Sequence, residues 1–208
     1  MKKACLIITA CIFAACSNAQ TTAQEVTTPA DVPSALNALP SNAAWDVDNT
    51  QSYIRFTASQ TGTEFTGSFT DFDANIKFDR ENLEAASVVV DINMSSFDAG
   101  SADRDGALPG KEWFYIKTFP KAQFASQDFI SLGGDNYEAR GELSLRGVSQ
   151  PLTLPFTLTL DGDRAEMGGR VSINRNDFGV GQGVWSTDEW VSLNVDIDVK
   201  ISARRTGS

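Results

Sequence analysis

The side chains of this chain that could do chemistry are carboxylates and arginines close to predicted loops. Two arginine–aspartate pairs are the best candidates, Arg104 with Asp105 and Arg175 with Asp177. Such pairs can contact the polar head group of a ligand, although they more often fix a loop. Carboxylates can also act as general acids and bases, so a hydrolase or isomerase that uses Asp105 and Asp177 is one hypothesis.

The sequence lacks the residues that most hydrolytic and metal-dependent enzymes use. There is no histidine among the 208 residues, which excludes Ser-His-Asp and Cys-His triads, imidazole zinc sites and the usual general base near neutral pH. The cysteines are Cys5, Cys11 and Cys16, so the body of the chain has no cysteine metal site or redox pair. We therefore predict that the protein is not an enzyme and holds no metal or cofactor.

The net charge of −10 limits the partners of the protein. Nucleic-acid binding is driven by Lys and Arg that neutralise phosphates, and docking on anionic lipid head groups needs the same positive charges. An acidic chain suits neither partner. We predict no nucleic-acid partner and no electrostatic docking on a membrane.

The first nineteen residues are typical of an export signal. Two lysines are followed by an apolar run from Ala4 to Ala15, which is too short to span a bilayer. Phe13-Ala14-Ala15-Cys16 resembles a lipobox, in which Cys16 would be lipidated, whereas Ser17-Asn18-Ala19 suits ordinary cleavage before Gln20. Both alternatives predict a protein of the periplasm or of the periplasmic face of the outer membrane. The lipobox alternative alone adds a membrane contact, through an N-terminal lipid anchor on Cys16.

Two further parts follow the export signal. Residues 20–43 are rich in small and polar residues and contain three prolines, so they are predicted to form a flexible linker. Residues 44–204 are predicted to form one folded domain.

Apolar and polar residues alternate through most of this domain. Strict alternation is typical of antiparallel strands with one dry face and one wet face. Glycine-rich hairpin turns are predicted at residues 133–136 and 161–163. The stretch from Asp103 to Ala122 breaks the pattern and predicts a short, partly helical segment packed near one end. We predict an all-β fold of about eight strands, in which closure into a barrel removes exposed strand edges.

Several separated motifs follow one another along the domain. They are Trp45-Asp46-Val47-Asp48, Gly67-Ser68-Phe69, Arg104-Asp105, Trp113-Phe114, Phe119-Pro120, Gly141 to Val148 with Pro151-Leu152, and Asn174 to Val180. In this order they resemble the YceI-like family of bacterial periplasmic lipid- and polyisoprenoid-binding proteins. The resemblance implies an extended antiparallel lipocalin-like β-barrel that holds an isoprenoid quinone or a similar long-chain lipid.

Periodicity alone fits a barrel filled by its own side chains, and the resemblance favours a tunnel for a lipid ligand. The head-group candidates are Arg104, Asp105, Arg175 and Asp177. The residues predicted to line the tunnel are Ile54, Phe56, Phe65, Phe69, Ile76, Phe78, Val90, Ile92, Phe114, Leu143, Phe156, Leu158, Val171, Ile173, Phe178, Trp190, Leu193 and Val195.

Three functions remain open at this point: a lipid carrier or store, a structural envelope protein with a filled barrel, and a carboxylate-based enzyme at the barrel mouth. The sequence identifies neither the lipid nor the oligomeric state, and it is compatible with a homodimer.

Overall fold

The computed structural model describes residues 45–206. The predicted export signal, its cleavage site, Cys16 and the predicted linker over residues 20–43 lie outside the described residues. The described elements are β1 (Trp45–Val47), β2 (Tyr53–Gln60), β3 (Thr63–Phe69), β4 (Phe72–Lys77), β5 (Ser87–Asn93), β6 (Phe97–Asp98), α1 (Ala102–Ala107), β7 (Lys121–Gly133), β8 (Asn136–Leu145), β9 (Val148–Asp161), β10 (Arg164–Asn174) and β11 (Asn194–Arg205).

These strands form one antiparallel sheet that closes into a barrel of eight strand positions. The ring runs β1-β4-β5-β7-β8-β9-β10-β11, and β1 pairs with β11 to close it. Three of the eight strands are interrupted by a bend, so that β1 with β2, β3 with β4, and β5 with β6 each act as one long strand. The second halves continue the ring, since β2 pairs with β3 and β3 pairs with β6. The predicted all-β antiparallel barrel is confirmed.

Side-chain alternation places the core inside this barrel. In β9, Leu154, Phe156 and Leu158 are buried, whereas Thr157 and Thr159 between and beside them are exposed. The same pattern fixes the register of each strand, since a slip by one residue would turn the apolar set toward water. The interior is therefore apolar and the outer wall polar.

The two ends of the barrel differ. At one end, which we call the closed end, Trp45 pairs with Arg205, and the Trp45 indole Nε1–H donates to the Phe78 carbonyl at 2.9 Å. At the other end, which we call the mouth end, residues 99–120 form a wall segment and residues 175–193 form a mouth loop. The wall segment follows β6 and leads into β7. Because β6 is only two residues long, the wall segment takes the place of a longer strand in this part of the barrel wall.

The wall segment contains the one helical stretch that the sequence predicted. The helix α1 has six residues, and Pro109 follows it closely. Proline lacks the N–H that a continuing helix needs, so the chain leaves the helix as a series of turns that ends at β7. Among the described residues, no helix is long and apolar enough to cross a membrane.

Candidate functional site

The barrel interior contains two apolar cavities that lie end to end. The cavity at the mouth end has a volume of about 180 Å³ and is lined by apolar side chains apart from two arginines. The cavity at the closed end has a volume of about 90 Å³ and an apolar lining. Val90, Phe124 and Leu154 belong to both linings, so these three side chains separate the two spaces.

Aromatic side chains shape the cavity at the closed end. The Phe78 ring lies 5.4 Å from Tyr137 and 5.6 Å from Phe129, measured between ring centroids. Phe156 stacks on Tyr137 at 5.5 Å. Edge-to-face and stacked contacts of this kind add to the free energy of burial, so this end of the barrel is well packed around its small cavity.

Most of the residues that the sequence predicted as tunnel lining do line these cavities. The structure brings together, at the mouth end, Ile54, Phe56, Phe65, Phe69, Val90, Ile92, Phe114, Leu143, Val171, Ile173 and Val195. It brings together, at the closed end, Ile76, Phe78, Val90, Phe156 and Leu158.

Phe178, Trp190 and Leu193, which the sequence also predicted as tunnel lining, lie outside the linings of both cavities. Phe178 is packed into the core at 3% exposure, and Trp190 is 46% exposed. The Leu193 carbonyl accepts the Arg175 backbone N–H at 2.9 Å. All three belong to the mouth loop, where the chain does not follow the alternation of a strand.

Other lining residues were not predicted. Leu152, Leu154 and Ile197 alternate in phase with predicted residues of β9 and β11, so the same pattern would have found them. Trp113 and Val180 line the cavity from the wall segment and the mouth loop. No periodic signal marks these two, since neither segment is a strand.

The Arg175 guanidinium organises the mouth loop from inside. The residue is 3% exposed and lies in the wall of the larger cavity. Its Nε donates to the Ser192 carbonyl at 2.9 Å, its Nη1 to the Val180 carbonyl at 2.8 Å, and its Nη2 to the Val191 carbonyl at 2.9 Å. Further acceptors are Asn176 Oδ1 and the carbonyls of Gly181, Trp185 and Thr187.

These acceptors satisfy all five N–H donors of an arginine. Burial lowers the pKa of the Arg175 guanidinium from its ordinary value, yet arginine stays charged in proteins. Within residues 45–206, no ion pair involves Arg175. Backbone carbonyls therefore stabilise the buried charge, and the structure gives Arg175 a loop-fixing role.

Arg104 and Asp105 also fix a loop. Arg104 Nε donates to the Ala99 carbonyl, and Asp105 Oδ1 accepts the Ala99 backbone N–H, both at 2.8 Å. The Arg104 guanidinium lies 4.3 Å above the Phe65 ring centroid. Asp177 is exposed, and its carbonyl accepts from Gln150 Nε2 at 3.2 Å. Head-group contacts of these four residues stay predictions.

The wall segment and the mouth loop are joined at Glu112 and Trp113. The Glu112 carbonyl accepts the backbone N–H groups of Gly181 and Gln182, each at 2.8 Å. Glu112 Oε2 accepts the Trp185 indole N–H at 3.0 Å, and the Trp113 and Trp185 rings lie 5.5 Å apart. The two segments together cover the mouth end of the larger cavity.

The described part of the chain has no group of three or more His, Cys, Asp or Glu side chains that could hold a metal ion. The site is an apolar interior whose lining includes Arg175, which holds the mouth loop, and Arg55, whose guanidinium lies over the Tyr53 ring. An antiparallel barrel of this size with a hollow apolar interior belongs to the class of barrels that can hold one small ligand.

Comparisons with known proteins identify the family. Residues 45–203 match the family described as YceI-like domain. A UPF0312 protein of Yersinia pestis is 32% identical over 160 residues, which cover 74% of this chain and 83% of that protein. This chain belongs to the YceI-like family.

Solved structures agree with the fold. The crystal structure of Burkholderia cenocepacia BcnA is 31% identical, covers 76% of this chain and 99% of its own, and superposes with a TM-score of 0.73. A polyisoprenoid binding domain from Saccharophagus degradans, implicated in plant cell wall breakdown, is 16% identical, covers 78% of this chain and 99% of its own, and has a TM-score of 0.63. The second likeness shows the fold alone.

Proposed function

We propose that this protein binds a long apolar lipid, of the polyisoprenoid or isoprenoid-quinone class, inside its barrel. It acts as a passive carrier or store and not as an enzyme. Its proposed location is the periplasm or the periplasmic face of the outer membrane, reached by the N-terminal export signal and, in the lipobox alternative, held there through Cys16.

The observation that carries the proposal is the pair of apolar cavities on the barrel axis. A barrel filled by its own side chains, the second function left open by the sequence, would have no such spaces. Burial of each methylene group of a lipid contributes about 0.8 kcal/mol, so a chain of several isoprene units binds without a charged contact. The name of the Saccharophagus relative supports the same ligand class.

The cavity volumes define what binding a long chain requires. A cavity of about 150 Å³ accepts a benzene ring, so the larger cavity of about 180 Å³ accommodates a group of about that size. A chain of several isoprene units needs both cavities joined. Val90, Phe124 and Leu154 must then change rotamer or shift, because they form the boundary.

The carboxylate-enzyme hypothesis has less support. The Asp105 carboxylate is engaged with the Ala99 backbone N–H, and neither Asp105 nor Asp177 lines either cavity. Two carboxylates that act as acid and base must both reach the reacting group. The enzyme hypothesis predicts that Asp105→Asn and Asp177→Asn abolish turnover, which activity measurements on the two variants test.

The test is to purify the full chain and identify what it carries. Native mass spectrometry and organic extraction are expected to reveal a co-purifying prenyl lipid, and delipidated protein is expected to bind a polyprenol or a quinone added back. Protein that is isolated without lipid and takes up neither probe would overturn the proposal. Mass measurement of the mature N-terminus decides between lipidated Cys16 and cleavage before Gln20.

A further inference from the structure

The strands β9 and β10 are paired along only part of their length. β9 and β10 pair from Asp161 with Arg164 up to Phe156 with Gly169, and their pairing ends there. Both strands continue toward the mouth end, where β9 stays paired with β8 and β10 stays paired with β11. Residues 151–155 and 170–174 thus face each other across a seam that has no sheet pairing in the described structure.

The seam is bounded at both ends by side-chain hydrogen bonds. Thr157 Oγ1 donates to the Gly168 carbonyl at 3.4 Å on the side of the closed end. Gln150 Nε2 donates to the Asp177 carbonyl at 3.2 Å on the side of the mouth end. Five residues of strand span about 16 Å, so the seam is a slot of about that length in the barrel wall.

Two prolines explain why the pairing stops. The Leu158 backbone N–H donates to the Asp135 carbonyl on the β8 side, and successive residues of a strand point their N–H groups to opposite sides. Odd-numbered residues of β9 therefore face β10. Pro151 and Pro155 occupy two of these positions and have no N–H to donate.

The position of Pro155 coincides with the break. In the register of the paired part, Pro155 would oppose Arg170, one step beyond the last pair of Phe156 with Gly169. A Cβ atom placed on Gly169 would lie 3.0 Å from the Pro155 carbonyl oxygen, which shows that this carbonyl is directed at β10. Pro155 therefore directs its carbonyl at β10 but has no backbone N–H with which to complete the pair.

The inward side of the seam belongs to the larger cavity. Its inward side chains all line the cavity, and they are Leu152, Leu154, Val171 and Ile173. Three of these four are half-buried, whereas Phe156 and Leu158 in the paired part of β9 are buried. Outside, a groove of about 670 Å³ runs along the paired part of β9 and β10, where Thr157, Thr159 and Glu166 to Gly169 line it, and it reaches the seam at Pro155 and Arg170.

We propose that the apolar chain enters and leaves the barrel sideways, through the seam between β9 and β10. This inference rests on the proposed function. Passage through the seam breaks no strand pairing between residues 151–155 and 170–174, whereas passage through the mouth would break the hydrogen bonds of Arg175 and the contacts of Glu112. Pro151 and Pro155 keep the two strands unpaired along the seam.

The first test restores the missing donors. The double variant Pro151→Thr/Pro155→Thr continues the row of exposed threonines on β9 and is expected to extend the pairing. The rate at which a labelled polyprenol moves between the full-length protein and phosphatidylcholine vesicles is expected to fall about tenfold or more, with the equilibrium affinity unchanged within about twofold. Pro109→Thr in the wall segment is the control and is expected to exchange at the wild-type rate.

The second test closes each route by a short bis-maleimide crosslink between introduced cysteines, in a background where the three native cysteines are serine. Thr153→Cys/Ser172→Cys spans the seam. Thr159→Cys/Glu166→Cys lies in the paired part of the same two strands and is the matched control. A third pair, at Glu112 and Gln182, joins the wall segment to the mouth loop.

The outcomes separate this inference from the proposed function. Exchange blocked by the seam crosslink alone supports the seam. Exchange blocked by the mouth crosslink alone, or by neither, overturns it while lipid binding stands. If the wild-type protein binds no prenyl lipid, the proposed function itself fails. Should the threonine double variant not fold, the crosslinked pairs decide the question.

Discussion

Arg175 shows how one residue can take the place of secondary structure. The mouth loop has only short 3-10 turns and one isolated β-bridge, between Gln60 and Val191, so most of its backbone lies outside regular secondary structure. A single buried guanidinium binds carbonyls from Val180 to Ser192. Burying a charge is costly unless its hydrogen bonds are satisfied, and here the backbone satisfies them.

Replacement of Arg175 by Met is expected to lower the free energy of unfolding by about 3–5 kcal/mol, because several buried carbonyls lose their donor. Arg140→Met is the matched control. Arg140 forms an exposed ion pair with Glu138 at 2.9 Å, and its loss is expected to cost less than about 1 kcal/mol. Urea denaturation of both variants measures the difference, and equal losses would contradict a central role for Arg175.

Asp48 makes the stability depend on acid pH. Its Oδ1 accepts the Thr50 backbone N–H at 2.9 Å, and hydrogen bonds from Thr50 and Gln51 lower the pKa of the Asp48 carboxyl below its ordinary value of 3.8. A lowered folded-state pKa gives a contribution that is complete above the unfolded value and is lost as the pH falls through the folded value.

Asp48→Asn keeps an acceptor oxygen but removes the charge. The variant is expected to be less stable than the wild type at pH 7, and the two free energies of unfolding are expected to converge below the folded-state pKa of Asp48. Denaturant titrations over the acid range provide the measurement. A difference between the two proteins that stays constant with pH would show that this charge does not contribute.

Among the elements, β7 and β8 meet at a point that only glycine fits. A Cβ atom on Gly141 would overlap the Ala125 backbone carbonyl and crowd Ser126. The register between these strands shifts beside this point, between Ser126 and Asp128, and Ser126 Oγ donates to the Arg140 carbonyl at 2.7 Å. The bulge and the glycine together let the two long strands curve.

Gly141→Ala is therefore expected to destabilise the fold by about 2–3 kcal/mol, since a backbone carbonyl cannot move aside. Gly168→Ala on β10 is the control, because a Cβ atom there meets only Thr157 Oγ1 at 3.9 Å. Its stability is expected to stay within about 0.5 kcal/mol of the wild type or to rise. Thermal unfolding of the two variants tests the contrast, which disappears if the strands can part at Gly141.

The same bulge explains why alternation in the sequence does not mark β7 as a strand. In β7, Ala122, Phe124 and Ser126 are buried on even positions, and Phe129 then packs inward on an odd position. The extra residue at the bulge reverses the phase of the alternation, so no period-two run marks the strand. Strands such as β9 have one phase throughout, and their inward residues could be predicted.

The site divides in the same way. Lining residues on regular strands were predictable from periodicity, whereas Trp113 and Val180 were not, because turns without a period carry them. The role of Arg175 could not be predicted either. Its partners are backbone carbonyls up to Ser192, and a sequence shows no sign of which carbonyls a loop will turn inward.

At the scale of the whole molecule, the hollow interior determines what can bind. Ala122 and Lys121 are neighbours on β7, with Ala122 lining the larger cavity and Lys121 exposed on the outer wall. Ala122→Phe is expected to fill part of the cavity and weaken the binding of a polyprenol by about tenfold or more. Lys121→Phe puts the same ring outside and is expected to bind as the wild type does.

Fluorescence competition with polyprenols of increasing length measures both variants. The loss for Ala122→Phe is expected to grow with chain length, since longer chains need more of the joined cavities. Equal binding by the two variants would contradict a ligand site inside the barrel. It would leave the fold and the family membership unchanged.

The pairing of Trp45 with Arg205 has a consequence for the order of the chain. The first and last strands of the barrel are hydrogen-bonded neighbours, so the ring of strands has no required starting point. A circular permutant could begin at Asp163, join residue 206 to residue 45 by a short linker and end at Asp161. It would lose the hairpin turn at Gly162 and keep every strand pairing. We expect it to fold into the same barrel with altered folding kinetics, because the permutation changes the sequence separation of contacting strands.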